Sequence, residues 1–214
     1  MATEKISFAI PGDQDDGRLY APAAARNVDA IVTALVPHLP TSGNALEIAS
    51  GTGEHIVRLA KAAPGLVWHP SDVDPERLNS ISAWTIHSGA TNIRAPSAYN
   101  AVDQAWPGLP MDVVFLSNLT HLISPEAAQS LLSHLAGAIA RRGILAIYGP
   151  FKRGTARASE GDERFDAAIR VERPDAGYKD IGWVEDQLTT HSLKHQITIA
   201  MPANNLMTIW TRPS

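Results

Sequence analysis

The chain contains no cysteine. That excludes disulfides, thiol nucleophiles and cysteine-ligated metal centres. Long apolar runs are missing as well. No stretch reaches the roughly 18 consecutive apolar residues of a spanning helix, and no basic-then-apolar leader opens the sequence. A cytoplasmic protein with no membrane partner is therefore expected. Basic excess is also lacking: 18 Lys and Arg stand against 22 Asp and Glu, a formal net charge of −4. A binder of phosphate backbones normally carries a basic face, so no nucleic-acid partner is expected. The 44% apolar and 19% charged content is that of an ordinary globular chain. One domain over residues 1–214, with a full core, is the expectation from the length of 214 residues.

Against these absences one segment stands out, Asn44-Ala-Leu-Glu-Ile-Ala-Ser-Gly-Thr-Gly-Glu-His55. Residues 45–49 are a short apolar run holding one acid, Glu47. The run breaks at Ser50-Gly51-Thr52-Gly53, after which Ile56, Leu59, Ala60 and Ala63 recur at helical spacing. Strand, glycine turn and helix are predicted. Two glycines separated by one residue let a backbone pass close to a ligand. The helix start behind them offers unpaired N–H groups to an anion. A nucleotide-like cofactor is the first expectation.

Residues 1–20 are polar and turn-rich and read as an arm or lid. Val28, Ile31, Val32, Leu35 and Leu39 predict an amphipathic helix from Pro22 that closes between Pro37 and Pro40. Further strands are predicted over residues 66–71, 92–99, 111–117 and 143–148, with Pro96 interrupting the second of these. Asp74 and Pro75 form a cap and first-turn pair for a helix carrying Leu78, Ile81 and Trp84. Ser124-Pro125 opens another, with Ala128, Leu132, Leu135 and Ile139 on one face and a stop at Arg141-Arg142-Gly143. Residues 150–180 are polar and read as a substrate-side insertion with a short helix over 162–170. Asp180 caps a helix through Ile181, Val184 and Leu188. Residues 196–201 and 206–211 read as an antiparallel hairpin about Pro202-Ala-Asn-Asn205. Alternating strands and helices before that hairpin predict an α/β fold, a three-layer Rossmann-like sheet that is parallel except near its last strand. Ligands in such sheets sit beyond the carboxyl ends of strands, which gathers the glycine turn, Asp72, Ser117 and Gly149.

Asp72 lies 21 residues after Gly51, near the roughly 20 expected for an acid that accepts ribose hydroxyls. Dinucleotide and adenosylmethionine sites share this spacing. A dinucleotide fingerprint needs a third glycine where the chain has Ile56. Adenosylmethionine has no pyrophosphate, and Glu47 stands where it could hold the ammonium directly or through water. The balance favours the methyl donor, with NAD(P) the competing cofactor.

Several blocks in order extend the pattern: Ala21-Pro-Ala-Ala-Ala-Arg-Asn27, Leu46-Glu-Ile-Ala-Ser-Gly-Thr-Gly-Glu-His55, Trp68-His-Pro-Ser-Asp-Val-Asp-Pro75, Asn118-Leu-Thr-His121, Tyr148-Gly-Pro-Phe-Lys152 and Met201-Pro-Ala-Asn-Asn-Leu206. Through them the chain resembles the class I S-adenosyl-L-methionine-dependent methyltransferases, and specifically the poorly characterised methyltransferase-like 26 family. The resemblance implies a seven-stranded sheet and a cofactor site. On this reading Glu47, Ala49, Ser50, Gly51, Thr52, Gly53, His55, Asp72, Val73, Asn100, Ser117 and Asn118 hold the cofactor, with Tyr20 and Arg26 folded over it. Ala49 departs from the glycine that commonly begins this turn. Asn100 stands where an acid often binds the adenine amino group, and its amide oxygen can still accept that N–H.

Methyl transfer from a sulfonium is an in-line displacement with a neutral leaving group, so proximity supplies much of the acceleration. A base is needed only for a protonated acceptor. Asn118 and His121 are the candidate catalytic residues, His121 as base or acceptor-orienting group; a histidine that merely caps the turn is the alternative. The expected acceptor is a small molecule, with a protein side chain as the alternative. A catalytically idle cofactor-binding or regulatory domain stays open as a different class. An NAD(P)-dependent oxidoreductase is disfavoured by Ile56 and by Tyr148-x-x-x-Lys152, whose Gly149-Pro150 breaks the helix such a pair needs. His191 and His195 have ligand spacing without a third ligand, so no metal is expected.

Overall fold

The computed structural model describes residues 10–11, 16–154 and 159–214. Most of the expected arm over residues 1–20 lies outside the described residues. The part that is described pairs β1 (Ile10–Pro11) with β2 (Leu19–Tyr20) in an antiparallel ladder. α1 (Pro22–Leu35) starts with proline at a position whose N–H would have no helical partner. A 3-10 turn over Val36–His38 ends it.

The chain then alternates. β3 (Gly43–Ile48) leads to α2 (Glu54–Ala62), β4 (Leu66–Asp72) to α3 (Pro75–Ser88), and the short β5 (Ser97–Ala98) to β6 (Met111–Ser117). α4 (Pro125–Ala138), β7 (Ile139–Gly149), α5 (Glu160–Glu172), α6 (Ile181–Thr190), β8 (Lys194–Ala200) and β9 (Leu206–Thr211) follow. The seven strands β3 to β9 form one sheet in the order β5-β4-β3-β6-β7-β9-β8, with β9 alone running against its neighbours. The expected seven-stranded, mostly parallel sheet with a closing hairpin is present.

Period-two alternation sends successive residues of each central strand to opposite faces. Ala45, Val113, Phe115, Ala146 and Tyr148 pack with Ile31 and Leu35 of α1, Ile56 and Leu59 of α2 and Ile81 of α3. Leu46, Ile48, Val114, Leu116, Leu145 and Ile147 pack with Leu131, Leu132 and Leu135 of α4 and Val184 and Leu188 of α6. Two apolar layers thus clamp the sheet. α5 stands apart, on a small cluster of Ile169, Ala176 and Tyr178 that Leu122 joins.

Three boundaries differ from the sequence reading. The third predicted strand shrinks to two residues plus a bridge between Trp68 and Ile93, because Pro96 has no N–H to give the ladder. Ile139, assigned to the α4 face, is instead the first residue of β7 and pairs with Met111. Arg141-Arg142-Gly143 is therefore an irregularity inside that strand. Arg142 adopts φ 63, its N–H donates to Arg212 O, and the Arg212 N–H donates to Gly143 O. Tyr148 sits in β7, so the Tyr/Lys pair has no helix to ride on. Among the described residues no helix is long and apolar enough to cross a membrane.

Candidate functional site

The sheet order reverses between β3 and β6: β4 and β5 lie on one side, β7 on the other. Such a reversal leaves a crevice at the carboxyl ends of the strands. A cleft of about 500 Å³ opens there, walled by residues 48–52, 72–74, 99–102 and 117–119, by Ala23 and Ala24 of α1 and by Leu122, Ile123 and Arg173. A depression of about 470 Å³ beside Asn79, Ile86 and His87 lies on α3 and is lined by no buried polar side chain.

The turn after β3 is built by its backbone. Ala49, Gly51 and Gly53 take φ values of 51, 60 and 96, in the left-handed region. The two glycines serve different ends. A Cβ on Gly51 would meet nothing closer than Ala49 O at 4.0 Å, so its absence keeps the cleft wall open. A Cβ on Gly53 would stand 2.9 Å from the Ile81 Cα, so glycine there lets α2 and α3 approach. Ala49 takes the same conformation with a methyl group, at a cost of about 1 kcal/mol.

Asp72 is 1% exposed at the end of β4. Its Oδ1 accepts from the N–H groups of Val73 and Asp74 at 2.8 and 3.1 Å, and its Oδ2 accepts from Gly51 N–H at 2.9 Å. Of about four lone-pair positions on a carboxylate, three are taken. Asp72 therefore braces the glycine turn and keeps about one lone-pair position unused. Asp74 caps α3 by accepting from Glu76 N–H, as its spacing suggested.

Glu47 is 1% exposed, and neither carboxylate oxygen has a hydrogen-bond partner. Burial pushes its pKa up to about 8, and the Asp72 charge adds to it. Its backbone oxygen receives the Ser71 and Ser50 hydroxyls, which stitch β3 to β4 beneath the turn.

His55, in the first turn of α2, faces the cleft. Its Nε2 lies 2.7 Å from Asn27 Oδ1 and its Nδ1 3.5 Å from Ser117 Oγ. An amide oxygen can only accept, so the pairing puts the proton on Nε2 and leaves the Nδ1 lone pair toward Ser117. Burial lowers the imidazole pKa to about 4, so the ring is neutral near pH 7.

Ten of the residues expected from sequence meet at the cleft: Ala49, Ser50, Gly51, Thr52, His55, Asp72, Val73, Asn100, Ser117 and Asn118. Glu47 is buried next to the wall residue Ile48, and Gly53 lies within the α2–α3 contact. Three others stand elsewhere. Tyr20 packs edge-on against Trp84 at 5.1 Å. Arg26 lies on the exposed side of α1 and is not on the wall. His121 is 3% exposed, its Nδ1 has no partner, and its ring packs against Phe165 and Tyr178 rather than on the wall. Burial, with Lys179 nearby, lowers its pKa to about 4. Asn100 Oδ1 accepts from Val102 N–H at 3.0 Å while its amide donates to Asp103.

Sequence reasoning missed Glu54, Arg173 and the pairing of Asn27 with His55. Asn27 had a signal: it falls on the buried stripe of α1 with Ala24, Val28 and Ile31. A polar residue on an apolar stripe asks for a partner, here His55. Glu54 Oε2 accepts from Ala21 N–H at 2.7 Å and from Thr52 Oγ1 at 2.8 Å, tying the entry of α1 to the glycine turn. Nothing in local spacing marks Arg173.

This sheet order, with its cleft at the glycine turn, defines the Rossmann-like fold of adenosylmethionine-dependent methyltransferases. Solved structures agree. An O-methyltransferase family protein from Burkholderia thailandensis superposes with a TM-score of 0.78 at 17% identity, over 90% of this chain and 58% of that one. An O-methyltransferase family 2 protein from Planctomyces limnophilus in complex with apigenin gives 0.76 at 15%, over 89% and 60%. Human N-acetylserotonin methyltransferase in complex with SAM gives 0.75 at 13%, over 90% and 53%. The chain thus spans little more than half the length of these proteins. A family model described as "Protein of unknown function (DUF938)" matches residues 18–212, and the chain belongs to that family.

Proposed function

We propose that the chain is an S-adenosyl-L-methionine-dependent methyltransferase acting on a small-molecule acceptor, with the methyltransferase-like 26 family as its nearer kin. The observation that carries this reading is Glu47. A buried carboxylate without a partner is costly, and an ammonium or an ordered water beside it removes the cost. The other groups suit the same cofactor. Asp72 keeps an acceptor position for a sugar hydroxyl. Val73, 61% exposed on the wall, gives a planar base an apolar surface. Gly51 leaves the backbone approachable.

When bound, adenosylmethionine supplies an electrophilic methyl on a sulfonium. The chain's own groups then have separable tasks. Ser117 and Asn118, at the end of β6, hold the acceptor against the wall, which is the proximity contribution. His55, neutral and oriented by Asn27, accepts a hydrogen bond from Ser117 and fixes its hydroxyl. His121 supports the acceptor wall from behind, and proton removal by it requires the 120–122 turn to open.

Calorimetric titration with adenosylmethionine, adenosylhomocysteine and NAD(P) tests the reading. Both sulfur nucleosides are expected to bind and NAD(P) is not; tight NAD(P) binding without response to the methyl donor would overturn the proposal. Asp72→Ala is expected to weaken binding about tenfold or more, since the turn loses a brace and the sugar an acceptor. An acceptor screen with labelled methyl donor separates an enzyme from an idle binder.

A further inference from the structure

We infer that Glu54 and Ser80 are positioning residues for the cofactor, seating residues 18–21 as a strap beside the glycine turn. Strap and cofactor then hold each other in place. The inference rests on the methyl-donor reading above and adds a control on that site. Ser80 is buried on α3, and its hydroxyl donates to Thr52 O at 2.7 Å while accepting from Leu19 N–H at 2.8 Å. Glu54 opens α2. Its Oε2 alone accepts both Thr52 Oγ1 at 2.8 Å and Ala21 N–H at 2.7 Å. Each of the two side chains therefore gives one bond to the turn and one to the strap. Thr52 and Ala21 both line the cleft.

The strap's outer anchor is Trp84, which shares a face of α3 with Ser80 at i, i+4 spacing and is not on the cleft wall. Its Nε1–H donates to Leu19 O at 2.9 Å, the Arg18 guanidinium lies over its ring at 4.8 Å, and Tyr20 meets its edge at 5.1 Å. Tyr20, expected over the cofactor, thus serves the strap instead. None of residues 18–21 belongs to either apolar layer that clamps the sheet. Beyond its short ladder with β1, the strap is held by these three side chains. A segment held in this way opens at a lower cost than the core. When it lifts, the buried Glu54 carboxylate loses the Ala21 amide and the Ser80 hydroxyl loses the Leu19 amide. Water must replace both beside Thr52, and the wall at Ala21 retreats. A nucleoside packed against Ala21 and Thr52 meets its full wall only with the strap seated, so it shifts the chain toward that form. Linkage makes the effect mutual.

The test titrates the full chain with adenosylhomocysteine by calorimetry and reads amide exchange at Leu19 and Ala21 with and without it. Saturation is expected to slow exchange at both amides about tenfold or more. Glu54→Ala should weaken adenosylhomocysteine binding about tenfold. Glu54→Gln should restore it to within about twofold, because one amide oxygen can accept both bonds that Oε2 accepts. Trp84→Ala frees the strap without touching the wall, and a loss of about fivefold is expected, with faster exchange at both amides. A purely structural Glu54 would lower the denaturant midpoint in Glu54→Ala and leave affinity unchanged. That result, unchanged exchange at Leu19 and Ala21 on saturation, or Glu54→Gln binding no better than Glu54→Ala would each overturn the inference. Native affinity in Trp84→Ala would do so as well. Failure of adenosylhomocysteine to bind the native chain removes the methyl-donor reading and this inference with it; its binding without a response at Leu19 and Ala21 removes the inference alone.

Discussion

The two ends of the cleft are made by different means. At the glycine-turn end the backbone does the positioning. Ser50 N–H donates to Ser71 O at 2.8 Å and Gly53 N–H to Ser50 O at 3.1 Å, and the alternating left-handed residues leave one path for the chain. Behind the turn lies the apolar layer of Ile56, Leu59 and Ile81. At the α5 end, side chains do the positioning: Asp162, Asp166, Arg173 and Lys179 pin a segment whose own apolar cluster is three buried residues. A site for one unchanging cofactor can be written into backbone geometry, where few substitutions are tolerated. A wall held by side-chain pins can be altered one residue at a time without disturbing the sheet.

Glycine substitutions at the two ends break or sharpen that contrast most directly. Gly53→Ala forces a methyl onto the Ile81 backbone from a strained φ, and a loss of about 3 kcal/mol is expected in urea unfolding. Gly177→Ala also has a positive φ, but its methyl meets the side-chain ends of Arg170 and Asp166 rather than backbone. Half that loss or less is expected. Equal losses would mean the α5 end is as rigid as the turn.

Titration probes the same contrast. Glu47 binds its proton more tightly folded than unfolded, with pKa about 8 against the usual 4.5. Between those values the folded state carries the extra proton, so stability falls as pH rises through that window. His55 and His121, both lowered to about 4, act oppositely: the unfolded state holds the extra protons, and stability rises from about pH 4 to the usual 6.5. Stability should therefore peak near neutrality and decline toward pH 8. Glu47→Gln should abolish the decline, and a saturating ammonium-bearing cofactor should do the same in the native chain. Denaturant midpoints at half-unit pH steps measure both. A decline that survives in Glu47→Gln would assign it to another group.

Much of the turn end was readable in the sequence because its determinants are local. Residues 111–117 read as a strand and form one, Asp74 caps α3, and the Gly51-to-Asp72 spacing places a carboxylate on the turn. The α5 end was less legible. Its helix was visible, and Ser159 and Asp162 make a capping box. Its role was not, since the contacts that matter join residues 51 to 56 positions apart, as Arg173 does with Leu122 and Lys179 with Ile123. Polar pins between distant segments have no periodicity to betray them. The same limit hid the burial of His121, whose covering rings, Phe165 and Tyr178, arrive from the α5 side.

Asp162 concentrates the pins of that side. It accepts from Ser159 N–H at 3.1 Å and from Ser159 Oγ at 2.8 Å, and from Asn204 and Tyr178. Asp162→Ala removes one half of the capping box and two long-range bonds together. Amide-exchange protection over Glu160–Glu172 should drop by about 2 kcal/mol, while the denaturant midpoint of the sheet moves little. A global loss of equal size would show that α5 unfolds only with the core.

The smallest expected effect is at Ala49, and it is the sharpest question about the turn. Left-handed backbone costs alanine about 1–2 kcal/mol, which glycine avoids. Against this, Ala49→Gly frees the unfolded chain and gives up a methyl contact, since Ala49 packs against the layer containing α4 and α6. The first term exceeds the sum of the others only slightly, so a gain of about 0.5 kcal/mol is expected. Adenosylhomocysteine should bind at least as well, because the wall loses bulk. A loss of stability would mean that the methyl's packing outweighs the strain of its backbone. The turn would then be held in place by side-chain contacts, as the α5 end is, and the distinction between the two ends would fail at its most local point.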